Sequence, residues 1–122
     1  MKVTDYYPIF YAEDIEAETK RFTDDLGFTV KHRPKIEMLD YVVLENGKGR
    51  RVDLVRSRFP ADHYKDGFLG MRANVDDFAE GLACFQAQGY ALFGTAHETE
   101  SSVTALLTKG DGDYLVLFHH KK

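Results

Sequence analysis

Residues 47–55 read GKGRRVDLV and residues 110–118 read GDGDYLVLF, which are two copies of one pattern set 63 positions apart. In each copy a G-x-G turn leads into a short apolar run, and this predicts a turn followed by a strand. The same offset separates Asp14 from Asp77. A period of this length does not suit a solenoid, and two copies are too few for one. We therefore expect two related modules that share one core.

Each half of the chain carries one amphipathic helix pattern near its start. Asp14 offers a capping oxygen to the first helix, and Asp76 or Asp77 offers one to the second. A glycine ends each pattern, Gly27 in the first half and Gly89 in the second. The apolar positions recur at helical spacing, and they are Ile15, Thr19, Phe22 and Leu26 in the first helix and Phe78, Leu82 and Phe85 in the second.

Strands fill most of the remaining sequence. Alternating and β-branched runs predict them at residues 6–12, 28–33, 38–45, 51–56, 68–75, 90–95, 103–108 and 114–119. Both halves then have the order β-α-β-β-β, so the predicted class is α+β. We expect module one at about 5–57, a polar linker at 58–67 and module two at about 68–120, within a single domain.

Composition narrows the possible partners. The chain has 122 residues, 43% of them hydrophobic, with a formal net charge of -4. No basic patch is present, which argues against nucleic acid. No apolar run reaches the roughly 18 residues of a membrane span. The single cysteine, Cys84, cannot form an internal disulfide, which fits a cytoplasmic protein, and we expect it to be packed as a small apolar side chain.

Several short motifs, taken in order, resemble the glyoxalase/bleomycin-resistance (vicinal oxygen chelate) superfamily. They are YAEDI at 11–15, Phe22, LGF at 26–28, VDDF at 75–78 and GDGD at 110–113. The resemblance extends over nearly the whole chain. It implies that the two modules form a curved mixed sheet around a shared cavity, with the helices outside. It also implies a homodimer.

The resemblance also assigns four positions to metal ligands in the metal-using members. In this sequence they hold Tyr7, Asp53, Gly70 and Val116. Glycine and valine offer no ligand atom, and one carboxylate does not hold a divalent ion tightly. We therefore expect no metal and no cofactor.

Strand alternation then predicts which side chains line the cavity. Arg51 and Val55 share a face with Asp53, whereas Leu69, Met71, Ala73 and Val75 face the helix of the second module. The predicted ligand-binding residues are Tyr7, Tyr11, Asp53, Arg72, Asn74, Tyr114 and Phe118. A mostly apolar hollow with a few polar groups is typical of a small-molecule site.

Some of the residues discussed above, Gly70 among them, have alternative roles. Arg72 either anchors a ligand or forms an ion pair with Asp53. The tyrosines either line the site or pack as core aromatics. Asp53 is also the candidate catalytic base. Gly70 marks the close approach of a ligand or of another backbone, or it is a weak point in the strand.

The sequence favours a metal-independent small-molecule-binding protein, serving resistance or sequestration. Its ligand is expected to be aromatic or partly anionic. The alternative is a glyoxalase-like lyase or isomerase acting on a small substrate. A third interpretation is that the chain is a stand-alone domain that binds no ligand at present.

Overall fold

The computed structural model describes residues 1–35, 39–58, 64–110 and 113–121, and within them the chain forms eight strands and two helices. The predicted order β-α-β-β-β, repeated once, is confirmed. The elements are β1 (Val3–Tyr11), α1 (Ile15–Asp24), β2 (Thr29–His32), β3 (Leu39–Glu45), β4 (Arg51–Ser57), β5 (Gly67–Val75), α2 (Phe78–Ala87), β6 (Ala91–Glu98), β7 (Ser102–Lys109) and β8 (Asp113–His120). Parts of three predictions lie outside the described residues: the start of the third strand at Met38, linker positions 59–63, and positions 111 and 112 of the GDGD motif.

Both helices begin at the predicted capping residues. The Asp14 carboxylate accepts a hydrogen bond from the backbone N–H of Ala17 at 3.1 Å. Of the two candidates for the second cap, Asp77 fills the role, since its carboxylate accepts from the N–H of Glu80 at 3.0 Å. Each cap satisfies a backbone donor that the first helical turn leaves without a helical partner.

Helix α1 ends earlier than its apolar spacing predicts. The N–H of Phe28 donates to the carbonyl of Phe22 at 3.0 Å, and Gly27 between them has φ +76°. This hydrogen bond closes a turn at the end of the helix, and the left-handed conformation of Gly27 reverses the chain there. Leu26 therefore lies beyond the helix and is 48% exposed, so the prediction that it continues the apolar face is wrong.

The strands are hydrogen-bonded in the order β2-β3-β4-β1-β5-β8-β7-β6. β1 pairs with β4 and β5 pairs with β8 in parallel, whereas β2/β3, β3/β4, β6/β7 and β7/β8 are antiparallel. The predicted α+β class with a mixed sheet is confirmed. None of the described helices has the length and apolar character needed to cross a membrane.

The chain packs as two compact units, one of Pro8–Leu69 and one of Met1–Tyr7 with Gly70–Lys122. The first half of β1 therefore belongs with the second module. The Thr4 hydroxyl donates to the carbonyl of Asn74 at 3.2 Å, which ties this half to β5.

Each unit has its own apolar core between its helix and one face of its strands. In the unit Pro8–Leu69 the core residues are Ile15, Phe22, Val42, Leu44, Val52 and Leu54. In the other unit they are Ala73, Val75, Ala105, Leu107, Leu115 and Leu117, with Met71, Phe78, Leu82, Phe85 and Tyr90 packed against them. Cys84 is exposed, so its predicted packing is wrong.

Candidate ligand-binding site

The face of β5 and β8 opposite the α2 core carries most of the predicted site. In the parallel register Gly70 lies beside Tyr114, Arg72 beside Val116, and Asn74 beside Phe118. Since paired residues in neighbouring strands point to the same face, alternation places all six on the side away from Leu115 and Leu117. Most of these side chains are half-buried, in contrast to the fully buried leucines on the helix side.

Arg72 is held between aromatic rings on this face. Its guanidinium carbon lies 4.2 Å from the ring centroid of Phe118 and 5.7 Å from that of Tyr7. Its Nε donates to the Asn74 side-chain oxygen at 3.0 Å. A guanidinium within about 6 Å of a ring centroid is attracted to the ring face. The guanidinium of Arg72 is therefore held in one orientation by two aromatic rings and the Asn74 side chain.

Gly70 is explained by a neighbouring backbone. A Cβ built on Gly70 would lie 2.0 Å from the carbonyl oxygen of Tyr114, far inside van der Waals contact. Of the interpretations of Gly70, the structure supports the close approach of another strand. The Tyr114 ring on the same face lies 6.4 Å, centroid to centroid, from Phe93 of β6 in an edge-to-face arrangement.

Asp53 lies in the unit Pro8–Leu69, beside Ile9 of β1 and on the face opposite the α1 core. It is fully buried. Arg51 binds it through two hydrogen bonds, Nε to Oδ1 at 2.8 Å and a terminal nitrogen to Oδ2 at 3.1 Å. The Tyr41 hydroxyl also donates to Oδ2. Both oxygens of this buried carboxylate therefore accept hydrogen bonds from neighbouring side chains.

Tyr11 lies in the same unit as Asp53. Its ring stacks on Tyr64 with the centroids 5.2 Å apart. Its hydroxyl accepts from the N–H of Ser57 at 3.3 Å and donates to Glu13 at 3.2 Å. Burial raises the pKa of the Tyr11 phenol above its usual value. The hydroxyl therefore stays protonated in the physiological range.

The structure thus divides the predicted site residues between the two units. Five of them lie in the unit that contains β5 and β8, namely Tyr7, Arg72, Asn74, Tyr114 and Phe118. Tyr11 and Asp53 lie in the other unit. Sequence reasoning missed that Arg51 and Tyr41 bind Asp53. The alternation of β4 already indicated Arg51, which is two residues from Asp53 and on the same face.

The four positions that the resemblance assigns to metal ligands do not fit a divalent ion. Asp53 is already bound by an arginine and a tyrosine hydroxyl. Gly70 has no room for a longer side chain, and Val116 is apolar. Among the residues that the structure describes, no three His, Cys, Asp or Glu side chains lie close enough together to hold a metal ion.

Sequence comparison finds no matching family model and no matching curated protein. The structure is nevertheless similar to several solved ones. Methylmalonyl-CoA epimerase from Mycobacterium tuberculosis is 16% identical, with a TM-score of 0.74 over 98% of this chain and 90% of that chain. A glyoxalase/bleomycin resistance protein/dioxygenase superfamily member from Vibrio splendidus 12B01 is 21% identical, with a TM-score of 0.64 over 94% and 97%.

A third similar structure is a Streptomyces coelicolor methylmalonyl-CoA epimerase variant in complex with 2-nitronate-propionyl-CoA. It is 14% identical, with a TM-score of 0.76 over 99% of this chain and 100% of that chain. Identities this low establish the fold and not the activity. The resemblance in the sequence motifs is confirmed at the level of the fold: the chain has the glyoxalase/bleomycin-resistance fold.

Proposed function

We propose that this chain is a small-molecule-binding protein that works without a metal, and that Arg72 anchors its ligand. The observation that carries the proposal is the position of Arg72 over Phe118 and near Tyr7, with Asn74 fixing its Nε. A cation held in this way on a half-buried aromatic sheet face is already oriented before a ligand arrives. Pre-orientation reduces the entropy lost on binding.

The chemistry of this face suits an aromatic molecule with one anionic group. The planar guanidinium of an arginine binds carboxylates through paired hydrogen bonds. Tyr114 and Phe118 supply ring surface for an apolar body. Binding without conversion would serve sequestration of, or resistance to, such a compound.

A lyase or isomerase remains the second candidate, because structures with this fold include an epimerase that binds a CoA derivative. Such chemistry needs a group that can take a proton from the substrate. Asp53 is the candidate, and it is fully buried with Arg51 and Tyr41 bound to its oxygens. That arrangement supports a structural role for Asp53 and favours the binding function.

Benzoate, with benzamide as its neutral analogue, tests the role of Arg72. We expect isothermal titration to show benzoate binding that is unchanged by EDTA and clearly stronger than benzamide binding. Arg72→Ala should weaken benzoate binding at least about tenfold, or ~1.4 kcal/mol.

The control is Arg50→Ala, which removes an exposed arginine from the other unit. This variant should bind benzoate as the wild type does. Equal binding of benzoate and benzamide, or unchanged binding in Arg72→Ala, would rule out the anchoring role. Loss of binding in EDTA would rule out metal independence.

We also propose a homodimer. All of β6 is exposed, and this strand ends the hydrogen-bonded order of the sheet. Leu92 and Phe93 on it are 38% and 46% exposed. Edge strands with apolar side chains favour pairing with another chain. Light scattering of the purified protein should give twice the chain mass at micromolar concentration, and a monomer mass would contradict this proposal.

A further inference from the structure

We propose that the Arg72 face binds aryl carboxylates with a hydroxyl on the ring carbon opposite the carboxylate, and that His97 binds this hydroxyl. The Arg72 face is the side of β5, β8, β7 and β6 opposite the α2 core. The proposal rests on the proposed function, because Arg72 holds the carboxylate. It adds the second polar group of the ligand and the residue that recognises it.

Strand register arranges the side chains of this face in rows that run across the four strands. From β5 to β6, one row holds Arg72, Val116, Leu106 and Phe93, and the next row holds Asn74, Phe118, Thr104 and His97. Paired residues in neighbouring strands point to the same face. His97 therefore lies on the same face as Arg72, in the row beside it and at the far end.

A bulge in β6 brings His97 into this row. Residues 93–97 of β6 pair with residues 104–106 of β7, so β6 contains two extra residues over this stretch. Without them, His97 would lie opposite Ser102, one row further from Arg72. Gly94, inside the bulge, has φ +76°, a left-handed conformation that glycine adopts without strain. Bulges next to functional sites re-aim a side chain in this way.

The distance across the strands suits a ligand with a single ring. The guanidinium carbon of Arg72 lies 4.2 Å from the ring centroid of Phe118. His97 is two strands away from Phe118 in the same row, which is roughly 10 Å at the usual spacing of neighbouring strands. A benzene ring with a carboxylate at one end and a hydroxyl at the other spans this gap with a hydrogen bond at each end. The ring would lie over β7, where Leu106 and Thr104 are half-buried.

The His97 end of the row offers both an acceptor and a donor of hydrogen bonds. His97 is exposed and Thr104 is half-buried. Within the part of the chain that the structure describes, neither side chain takes part in a hydrogen bond or an ion pair. A neutral imidazole has one acceptor nitrogen, and a threonine hydroxyl can donate. A phenol hydroxyl would donate to His97 and accept from Thr104, so it would satisfy both groups.

The charges of the two rows favour a neutral second group on the ligand. Arg72 is the only permanently charged side chain at the positions of these rows, all of which are described. Its guanidinium suits one carboxylate. A second carboxylate at the other end would face no permanent cation in either row, whereas a phenol hydroxyl stays uncharged at neutral pH.

The probes are benzoate, 4-hydroxybenzoate and 4-methylbenzoate, in which a methyl group of similar size replaces the hydroxyl. In isothermal titration of the full chain, we expect 4-hydroxybenzoate to bind about tenfold more tightly than 4-methylbenzoate through its two added hydrogen bonds. His97→Ala should abolish this preference and leave benzoate affinity unchanged. His97→Gln, whose amide oxygen also accepts a hydrogen bond, should retain part of it. Thr104→Val should reduce the preference without abolishing it.

The control is His32→Ala, which removes an exposed histidine from the other unit and should leave all three affinities unchanged. If benzoate binding depends on Arg72 but 4-hydroxybenzoate and 4-methylbenzoate bind equally, this proposal is overturned and the proposed function stands. The same holds if His97→Ala keeps the preference for the hydroxyl, or weakens all three acids equally. Absence of binding by all three acids, or affinities that Arg72→Ala does not change, would overturn both proposals.

Discussion

Arg51→Ala is expected to lower the free energy of unfolding by about 3 kcal/mol, because it removes the cation that binds a fully buried carboxylate. Asp53 is 0% exposed, and Arg51 makes two of the hydrogen bonds to it. Breaking a buried pair from one side typically costs 3–5 kcal/mol. The Arg51 side chain is itself 31% exposed, so water partly compensates and the lower end of that range applies.

Restoring the balance of charge should restore stability. The double variant Arg51→Ala with Asp53→Asn should recover most of the loss, since a neutral amide is less costly to bury than a carboxylate that has lost its arginine. Arg50→Ala, one residue away and exposed, should change stability by less than about 0.5 kcal/mol. Denaturant unfolding followed by circular dichroism measures all three. A loss in Arg51→Ala no greater than that in Arg50→Ala would show that Asp53 does not need Arg51.

Gly70→Ala should be the other strongly destabilising single change. In an ordinary strand position, replacing glycine by alanine stabilises by about 0.4–1 kcal/mol through the unfolded state. At Gly70 the added carbon would lie 2.0 Å from a carbonyl oxygen of Tyr114. The obstacle is backbone and not the end of a flexible side chain, so β5 and β8 must move apart. We expect a net loss of about 3 kcal/mol and a melting temperature lower by on the order of 10 °C.

Gly47→Ala is the matched control for this prediction. No atom lies within 4 Å of a Cβ built there, and the position has no positive φ. Its melting temperature should stay close to that of the wild type. Its free energy of unfolding should change by less than about 0.5 kcal/mol. If Gly70→Ala melted at the same temperature as Gly47→Ala, the close approach of β8 would not be what requires glycine at this position.

The pairing of Arg51 with Asp53 bears on how Arg72 is interpreted. The sequence left two roles open for Arg72, a ligand anchor or the partner of Asp53. The structure gives Asp53 two partners within its own unit, Arg51 and Tyr41. Removal of Arg51 is therefore expected to lower stability, whichever role Arg72 has. The role of Arg72 as an anchor stays a prediction, with benzoate binding as its test.

The elements of this fold could be predicted because their signals are local. Asp14 and Asp77 are separated by one repeat length and cap the two helices. Ile15 and Phe22 are buried as their helical spacing predicts. The alternation of Met71, Ala73 and Val75 against α2 is likewise observed. The one failure at a helix end, Leu26, shows a hydrogen-bonded turn overriding apolar periodicity.

By itself, the sequence determined the two-module order, the capped helices and the side of β5 that meets α2. These follow from periods of 3.6 and 2.0 residues, which act over one element at a time. Tertiary structure alone decided that Tyr41 binds Asp53 and why Gly70 is glycine. Each of these depends on strand register and on where long side chains end, and neither is encoded in the spacing of residues along one strand or helix.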